Sequence, residues 1–188
     1  MIKGKLIELI PAKLEDRQNV YEWCFHSETT KSHAGPPKYP DIEIPTYEEF
    51  CEDYVDYFFA SEESDKGGGF IIMHGGEAVG FISYSSFHLR KHMSELDIWM
   101  NSEANCGKGF GTDAVICLSD YLHETMGISE LIIRPSARNT RAVSSYKKAG
   151  FVESDKEPSY YLLEEFVSLY GAGDYGEEES MLLVKRFE

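Results

Sequence analysis

Three groups of residues in this 188-residue chain have types and spacings that chemistry can use. The first is Cys106-Gly107-Lys108-Gly109-Phe110-Gly111-Thr112, with glycines at alternate positions running straight into an apolar-periodic helix. Glycine lets a backbone approach a ligand closely and adopt positive φ. A helix N-terminus adds unpaired N–H groups and a partial positive charge. Together they make a cradle for phosphate or pyrophosphate, the mark of a nucleotide-like cofactor. The second group is Glu95, Asp97 and Trp99, alternating with Leu96, Ile98 and Met100. Side chains two apart on a strand share a face, so two carboxylates and an indole can line a cleft while the apolar set meets a core. The third is Asn139 with Tyr146 on one predicted helix, which by spacing alone read as a helix-start residue and a core tyrosine.

The spacing of the glycine loop excludes two familiar phosphate binders. A Walker loop needs G-x-x-x-x-G-K-[ST], and here Lys108 is followed by Gly109. A dinucleotide fingerprint needs G-x-G-x-x-G, whereas Gly107, Gly109 and Gly111 are spaced G-x-G-x-G.

The elements that must position these groups follow from periodicity and punctuation. A strand is predicted over 6–10, ended by Pro11, and a helix over 14–25. Residues 33–45 hold Gly35 and four prolines and read as a loop. Thr46-x-x-Glu49 is a capping box, predicting a helix to about residue 60 with Phe50, Tyr54, Tyr57 and Phe58 near one face. Residues 61–69 read as a polar turn. Strands 70–73 and 78–87 flank a hairpin at His74-Gly75-Gly76-Glu77. Strand 94–101 leads into the glycine loop and a helix over 112–125. Strand 130–134, helix 138–149 with Gly150 as its C-cap, and strands 151–153 and 181–186 complete the pattern. Residues 160–170 are left open as strand, loop or short helix, and 171–180 as an acidic glycine-rich loop. The order predicts an α+β or mixed-sheet α/β fold, and with no repeat or linker visible, 1–188 is expected to be one domain.

The loop resembles the acyl-CoA loop of the GNAT superfamily of N-acetyltransferases, written Q/R-x-x-G-x-G/A. Gly109 and Gly111 match its glycines; Cys106 stands where Gln or Arg is usual. The segment from Asn139 through Ala142, Tyr146 and Gly150 to Phe151 fits the family's N-x-x-A-x-x-x-Y-x-x-x-G-F. A closer resemblance is to aminoglycoside 6′-N-acetyltransferases. It lies in the segment from Asp97 through Gly107-Lys108-Gly109-Phe110-Gly111-Thr112, in Pro135-Ser136-Ala137-Arg138-Asn139, and in Tyr21-Glu22-Trp23. Siderophore hydroxylysine acetyltransferases and ribosomal-protein N-terminal acetyltransferases share parts of the pattern.

The resemblance implies a central mixed, mostly antiparallel sheet flanked by helices, with a splayed strand forming the acyl-CoA cleft. Acetyl-CoA is then the co-substrate. Trp99, Met100 and Asn101 would meet its pantetheine arm, with one N–H there polarising the thioester carbonyl. Gly107, Lys108, Gly109, Phe110, Gly111 and Thr112 would hold its pyrophosphate, and Asn139 and Tyr146 would complete the contacts. Tyr146 would assist the leaving thiolate. Asp97, with Glu95 as the alternative, would hold the cationic acceptor and relay its proton, since a free ammonium titrates near 10 and a carboxylate near 4. Trp23, Glu95, Asp97 and Trp99 would bind the acceptor, with direct transfer and no covalent role for Cys106. A non-catalytic acyl-CoA-binding module on the same fold is the alternative from another class.

Composition narrows the partners. A formal charge of −15 argues against nucleic acid and suits a cationic small molecule. The acidic stretch from Glu48 to Asp56 and the acids Asp174, Glu177, Glu178 and Glu179 read mostly as solvated faces, some of them able to line an acceptor cleft. Four widely spaced cysteines form no zinc pattern, and His74, His88, His92 and His123 read as surface or loop residues, so no metal is expected. Met1 leads into a charged segment and no apolar run has the length of a membrane span, so a cytoplasmic monomer or homodimer is expected.

Overall fold

The computed structural model describes residues 1–33, 43–60 and 64–187 of the chain, the side chains of Ser32 and His33 excepted. Eight strands form one sheet in the order β1-β2-β3-β4-β5-β6-β8-β7. They are β1 (Ile2–Lys3), β2 (Glu8–Pro11), β3 (Gly67–His74), β4 (Glu77–Ser85), β5 (Met93–Met100), β6 (Glu130–Ile133), β7 (Val152–Glu153) and β8 (Leu183–Arg186). Every neighbouring pair is antiparallel except β5 and β6, which run parallel. The β3–β4 hairpin turns on Gly75 and Gly76, both with positive φ (60° and 86°), as a tight two-residue connection requires.

Among the described residues, seven α-helices cover the sheet: α1 (Arg17–Phe25), α2 (Thr30–His33), α3 (Tyr47–Asp53), α4 (Tyr57–Ala60), α5 (Phe110–Met126), α6 (Thr140–Lys148) and α7 (Glu164–Tyr170). One face packs on α5 and α6 through Leu96, Leu118, Leu131 and Tyr146. The other face carries two separate apolar clusters. Trp99, Phe81, Phe50 and Phe59 join α1, α3 and α4 in one. Ile132, Leu89, Tyr161 and Leu162 form the other, with Val167 of α7 against it. The polar end of the β5 face, at Glu95 and Asp97, lies between them.

Several expectations change. The capping box at Thr46 forms, with the Thr46 hydroxyl accepting from Glu49 N–H and the Glu49 carboxylate accepting from Thr46 N–H. The helix it opens breaks at Tyr54 (ψ 70°) and resumes as α4. Residues 67–69, expected in a turn, begin β3 instead, while 61–63 lie outside the described residues. The glycines permit this: a Cβ on Gly69 would sit 2.6 Å from the Phe58 carbonyl oxygen and 2.7 Å from the Phe81 ring. The loop expected over 33–45 falls largely outside the described residues. Residues 160–170 resolve as one turn, Pro158–Tyr160, and then α7.

Gly69→Ala is expected to destabilise the fold by about 2–3 kcal/mol in urea unfolding, since backbone and a packed ring must give way. Gly111→Ala is expected to stay within about 1 kcal/mol of wild type, because its added methyl meets only ordinary contacts at 3.7 Å and beyond.

Candidate functional site

β5 pairs with β6 only at Met93, Ser94 and Glu95, opposite Glu130, Leu131 and Ile132. On its other edge β5 stays paired with β4 through Met100. Beyond Glu95, therefore, one edge of β5 has no strand partner among the described residues and leaves a gap beside β6. Asn101 N–H donates to the Val79 carbonyl at 3.0 Å. By the alternation of antiparallel pairing, Trp99 and Asn101 then direct their backbone toward β4, and Ile98 and Met100 into the gap. Asp97 Oδ1 accepts the Ile98 N–H at 2.8 Å, and the Met100 carbonyl accepts the Thr29 hydroxyl at 2.7 Å. The Asn101 side chain is engaged internally: it donates to the Ala78 carbonyl (2.8 Å) and accepts from Asn105 (2.9 Å), bracing the approach to the glycine loop.

The apex of the gap is an ion-pair network. Arg134, one residue past β6, grips Glu95 with Nε (2.6 Å) and Nη2 (2.9 Å). His88 Nε2 meets the same carboxylate at 2.7 Å, and Arg134 Nη1 donates to the Tyr170 carbonyl at the end of α7. Burial pushes the Glu95 carboxyl up, but the His88 hydrogen bond and the Arg134 charge hold it below its ordinary value. His88, expected at the surface, is 4% exposed. Glu95 is thus bound on both oxygens, while Asp97 keeps accessible surface at the floor of the cleft.

Asp97 Oδ2 accepts from the Tyr54 hydroxyl at 2.6 Å. The break after α3 aims that ring inward, between Phe50 (centroids 4.8 Å, stacked) and Trp99 (5.6 Å, edge-on). Crowding by protein raises the Asp97 carboxyl despite the Tyr54 and Ile98 hydrogen bonds, and the Glu95 charge adds to it. Asp174, in the loop after α7, keeps solvent-accessible surface but is crowded by surrounding protein; that crowding and the charges of Asp97 and Glu95 push it up to about 6, against the pull of Arg134. Burial and the charges of Asp97 and Asp174 also raise the Tyr175 phenol. Tyr146 belongs to the core of the α5–α6 face, yet after burial it is the Asp97 charge on the opposite face that raises its phenol. Its hydroxyl makes no hydrogen bond among the described residues.

Trp99 is 4% exposed and turned into the aromatic cluster, its indole N–H donating to the Val20 carbonyl at 3.3 Å. It touches the cleft through Tyr54. Trp23 is half-buried on α1 against the same cluster.

The glycine loop meets the helix end as its composition requires. Gly107 (φ 72°) and Gly109 (φ 87°) are left-handed, and Gly109 is the N-cap of α5 with no side-chain bond to the helix. The first N–H groups, of Phe110, Gly111 and Thr112, are therefore uncapped by side chains. A Cβ on Gly107 would meet nothing within 4 Å, so the approach to the loop is open. This is a fit for a phosphate. The Phe110 ring is core, Lys108 is exposed with its Nζ 5.9 Å from that ring, and the Thr112 hydroxyl bonds Ser145 at 2.7 Å. Asn139 caps α6, accepting from Ala142 N–H at 3.1 Å. Asp113, absent from the expected site, is 7% exposed and accepts the Leu6 and Ile7 N–H groups (2.6 and 3.2 Å), tying the β1–β2 turn to the first turn of α5. Burial pushes the Cys106 thiol up, which suits no nucleophile. Among the described residues no cluster could hold a metal, and no helix is long and apolar enough to cross a membrane.

Comparison with known proteins places this geometry. The model of the acetyltransferase (GNAT) domain matches residues 7–152. An aminoglycoside N(6′)-acetyltransferase type 1 of Klebsiella pneumoniae is 26% identical over 164 residues, covering 79% of this chain and 78% of that protein. An aminoglycoside acetyltransferase solved with coenzyme A superposes with a TM-score of 0.68 at 19% identity, covering 96% and 94% of the two chains. A Vibrio cholerae spermidine N-acetyltransferase, solved with CoA and spermine, gives 0.67 at 15% identity, covering 97% and 96%.

Arg134→Met is expected to cost about 3–5 kcal/mol in chemical denaturation at pH 7, because it strands a buried carboxylate. Adding Glu95→Gln is expected to recover part of that loss. Glu95 has a depressed native pKa, so its contribution is complete above the unfolded value of about 4.3 and disappears as pH falls through the native one. The stability gap between wild type and Glu95→Gln should close on acidification.

Proposed function

This chain belongs to the GNAT acetyltransferase family, and we propose that it transfers the acetyl group of acetyl-CoA directly to a primary amine of a small polycation, an aminoglycoside first among them. The family's donor is acetyl-CoA, and structural neighbours hold CoA. The observation that carries the reading is the juxtaposition, across one gap, of an uncapped glycine-rich helix end and two carboxylates, Asp97 and Asp174, that make no ion-pair contact with a cation among the described residues. The distant aminoglycoside relatives and the polyamine-binding neighbour support the acceptor class.

In this reading the N–H groups at Gly109, Phe110 and Gly111 hold the pyrophosphate, with Gly107 and Lys108 alongside. Met100 N–H, directed into the gap, polarises the thioester carbonyl. Asp174 and Asp97 attract the ammonium groups and hold one amine at the gap. That amine must lose a proton before its nitrogen attacks. The raised pKa of Asp97 narrows its distance from an ammonium near 10, and a water can carry the proton between them. The C–N bond forms as the C–S bond breaks, and the Tyr146 hydroxyl donates to the departing sulfur. Tyr54 holds the Asp97 carboxylate in place, and Glu95, gripped by Arg134, positions the strand that carries it.

Thiol release from acetyl-CoA is expected with aminoglycosides and other polyamines, and weakly with monoamines. Absence of turnover with every polycation sinks the acceptor assignment. Asp97→Asn and Tyr146→Phe are each expected to lower kcat by about 10²–10⁴-fold. KM for a polycation is expected to rise as pH falls through about 6, where Asp174 gains a proton and loses its charge. Gly111→Ala, well folded, is expected to raise the Kd for CoA about tenfold or more by blocking close approach of the phosphates.

A further inference from the structure

The proposed anion cradle has a carboxylate at its rim. Glu103 begins the single turn (Glu103–Asn105) that precedes the glycine loop. Both of its oxygens are held by Arg141 in the first turn of α6: Nη1 to Oε2 at 2.7 Å and Nη2 to Oε1 at 3.0 Å. The side chains are 45% (Arg141) and 41% (Glu103) exposed, so the pair stands in solvent. Two further observations keep Arg141 at the loop. The Thr112–Ser145 hydroxyl contact joins the first turn of α5 to α6. Burial pushes the Cys106 thiol up while the Arg141 charge pulls against it, so the guanidinium stands close to the loop's first residue.

A carboxylate beside a helix N-terminus usually serves as a cap. Glu103 does not: the N-cap of α5 is Gly109, without a side-chain bond. Its charge is directed at Arg141 instead. A guanidinium binds carboxylate and phosphate with the same two-pronged geometry. Glu103 therefore occupies, in this structure, a fork of donors whose geometry also fits a phosphate.

We propose that Arg141 is a phosphate ligand for the acyl donor and that Glu103 is its stand-in, giving up the guanidinium when the donor binds. The inference rests on reading the glycine loop as the donor cradle. It deepens that reading by naming a side chain that recognises the donor and one that competes with it. The exchange makes no covalent change; one charge-assisted pair replaces another. Donor affinity is then held below what the cradle allows, which favours release of spent CoA.

Calorimetric titration with CoA at low salt tests this. If the wild-type protein does not bind CoA, the donor assignment falls and the inference with it. Once binding is measured, Glu103→Gln is expected to tighten CoA about two- to fivefold, the worth of one exposed ion pair. Arg141→Gln is expected to weaken it about tenfold, and Arg141→Lys, which keeps the charge without the fork, to recover part of the loss. The Glu103→Gln/Arg141→Gln double variant should match Arg141→Gln, since Glu103 acts through Arg141. Melting temperatures of all variants separate lost binding from lost folding. If Glu103→Gln leaves CoA affinity unchanged or weakens it, or if a folded Arg141→Gln binds CoA as wild type does, the pair is only a brace of the loop and the proposal is overturned.

Discussion

The parting of β5 from β6 after Glu95 is the constraint on which the rest of the molecule depends. Parallel strands that stayed paired would leave no room between them and no backbone free on the inner edge of β5. Instead the pairing stops at Glu95–Ile132, and Arg134 turns back to bind Glu95 at the point of divergence. The same guanidinium reaches the Tyr170 carbonyl at the end of α7, where the chain enters the loop bearing Asp174 and Tyr175. One buried side chain thus fixes both the apex of the gap and the start of one wall. A charge taken out of water is tolerated only when fully paired. Here the double grip of Arg134, with His88 as a third contact, meets that requirement.

The cleft itself is built from what the core leaves uncovered. On the second face of the sheet the two apolar clusters do not merge, and the polar stretch between them holds Asp97. Tyr54 leans in from the break after α3, and Asp174 arrives from the loop after α7. These acids are unlike Glu95. Their raised pKa values mean that their charged forms are disfavoured in the folded protein. The sign for stability is therefore opposite. Between the ordinary aspartate value near 4 and about 6, native Asp174 holds a proton that the unfolded chain has released, so stability falls with rising pH across that window. At neutral pH the protein tolerates an electrostatic cost at these two carboxylates.

The features that depend on local backbone conformation were legible in the sequence. Positive φ at Gly107 and Gly109, the hairpin at Gly75-Gly76, the Thr46 capping box and the Asn139 cap are each encoded within a few residues. Features that depend on packing were not. The glycines at 67–69 look like a turn, yet they pair with β4 as strand, and glycine is needed there because groups of α4 and β4 lie too close for any Cβ. The break at Tyr54 leaves the apolar pattern of 46–60 intact. The alternation of Glu95, Asp97 and Trp99 was readable, but not that Arg134 would bind the first and the aromatic cluster would absorb the third. His88 and Arg134 carry no local pattern; only the sheet register brings them to Glu95.

This difference has a physical root. A phosphate can be held by N–H groups that every residue possesses, so its recognition reduces to chain geometry and survives in a short motif. An acceptor that differs in the number and spacing of its ammonium groups must be recognised by side chains projecting into one space. In the acceptor site proposed above, those side chains come from the break after α3, from β5, α6 and the loop after α7, more than a hundred residues apart in the chain. No spacing rule links Tyr54 to Asp174; only the fold does. Structures matching this one at 15–19% identity include an aminoglycoside acetyltransferase and a spermidine acetyltransferase. What this chain has in common with them is the sheet and its helices, the level at which backbone geometry alone is fixed.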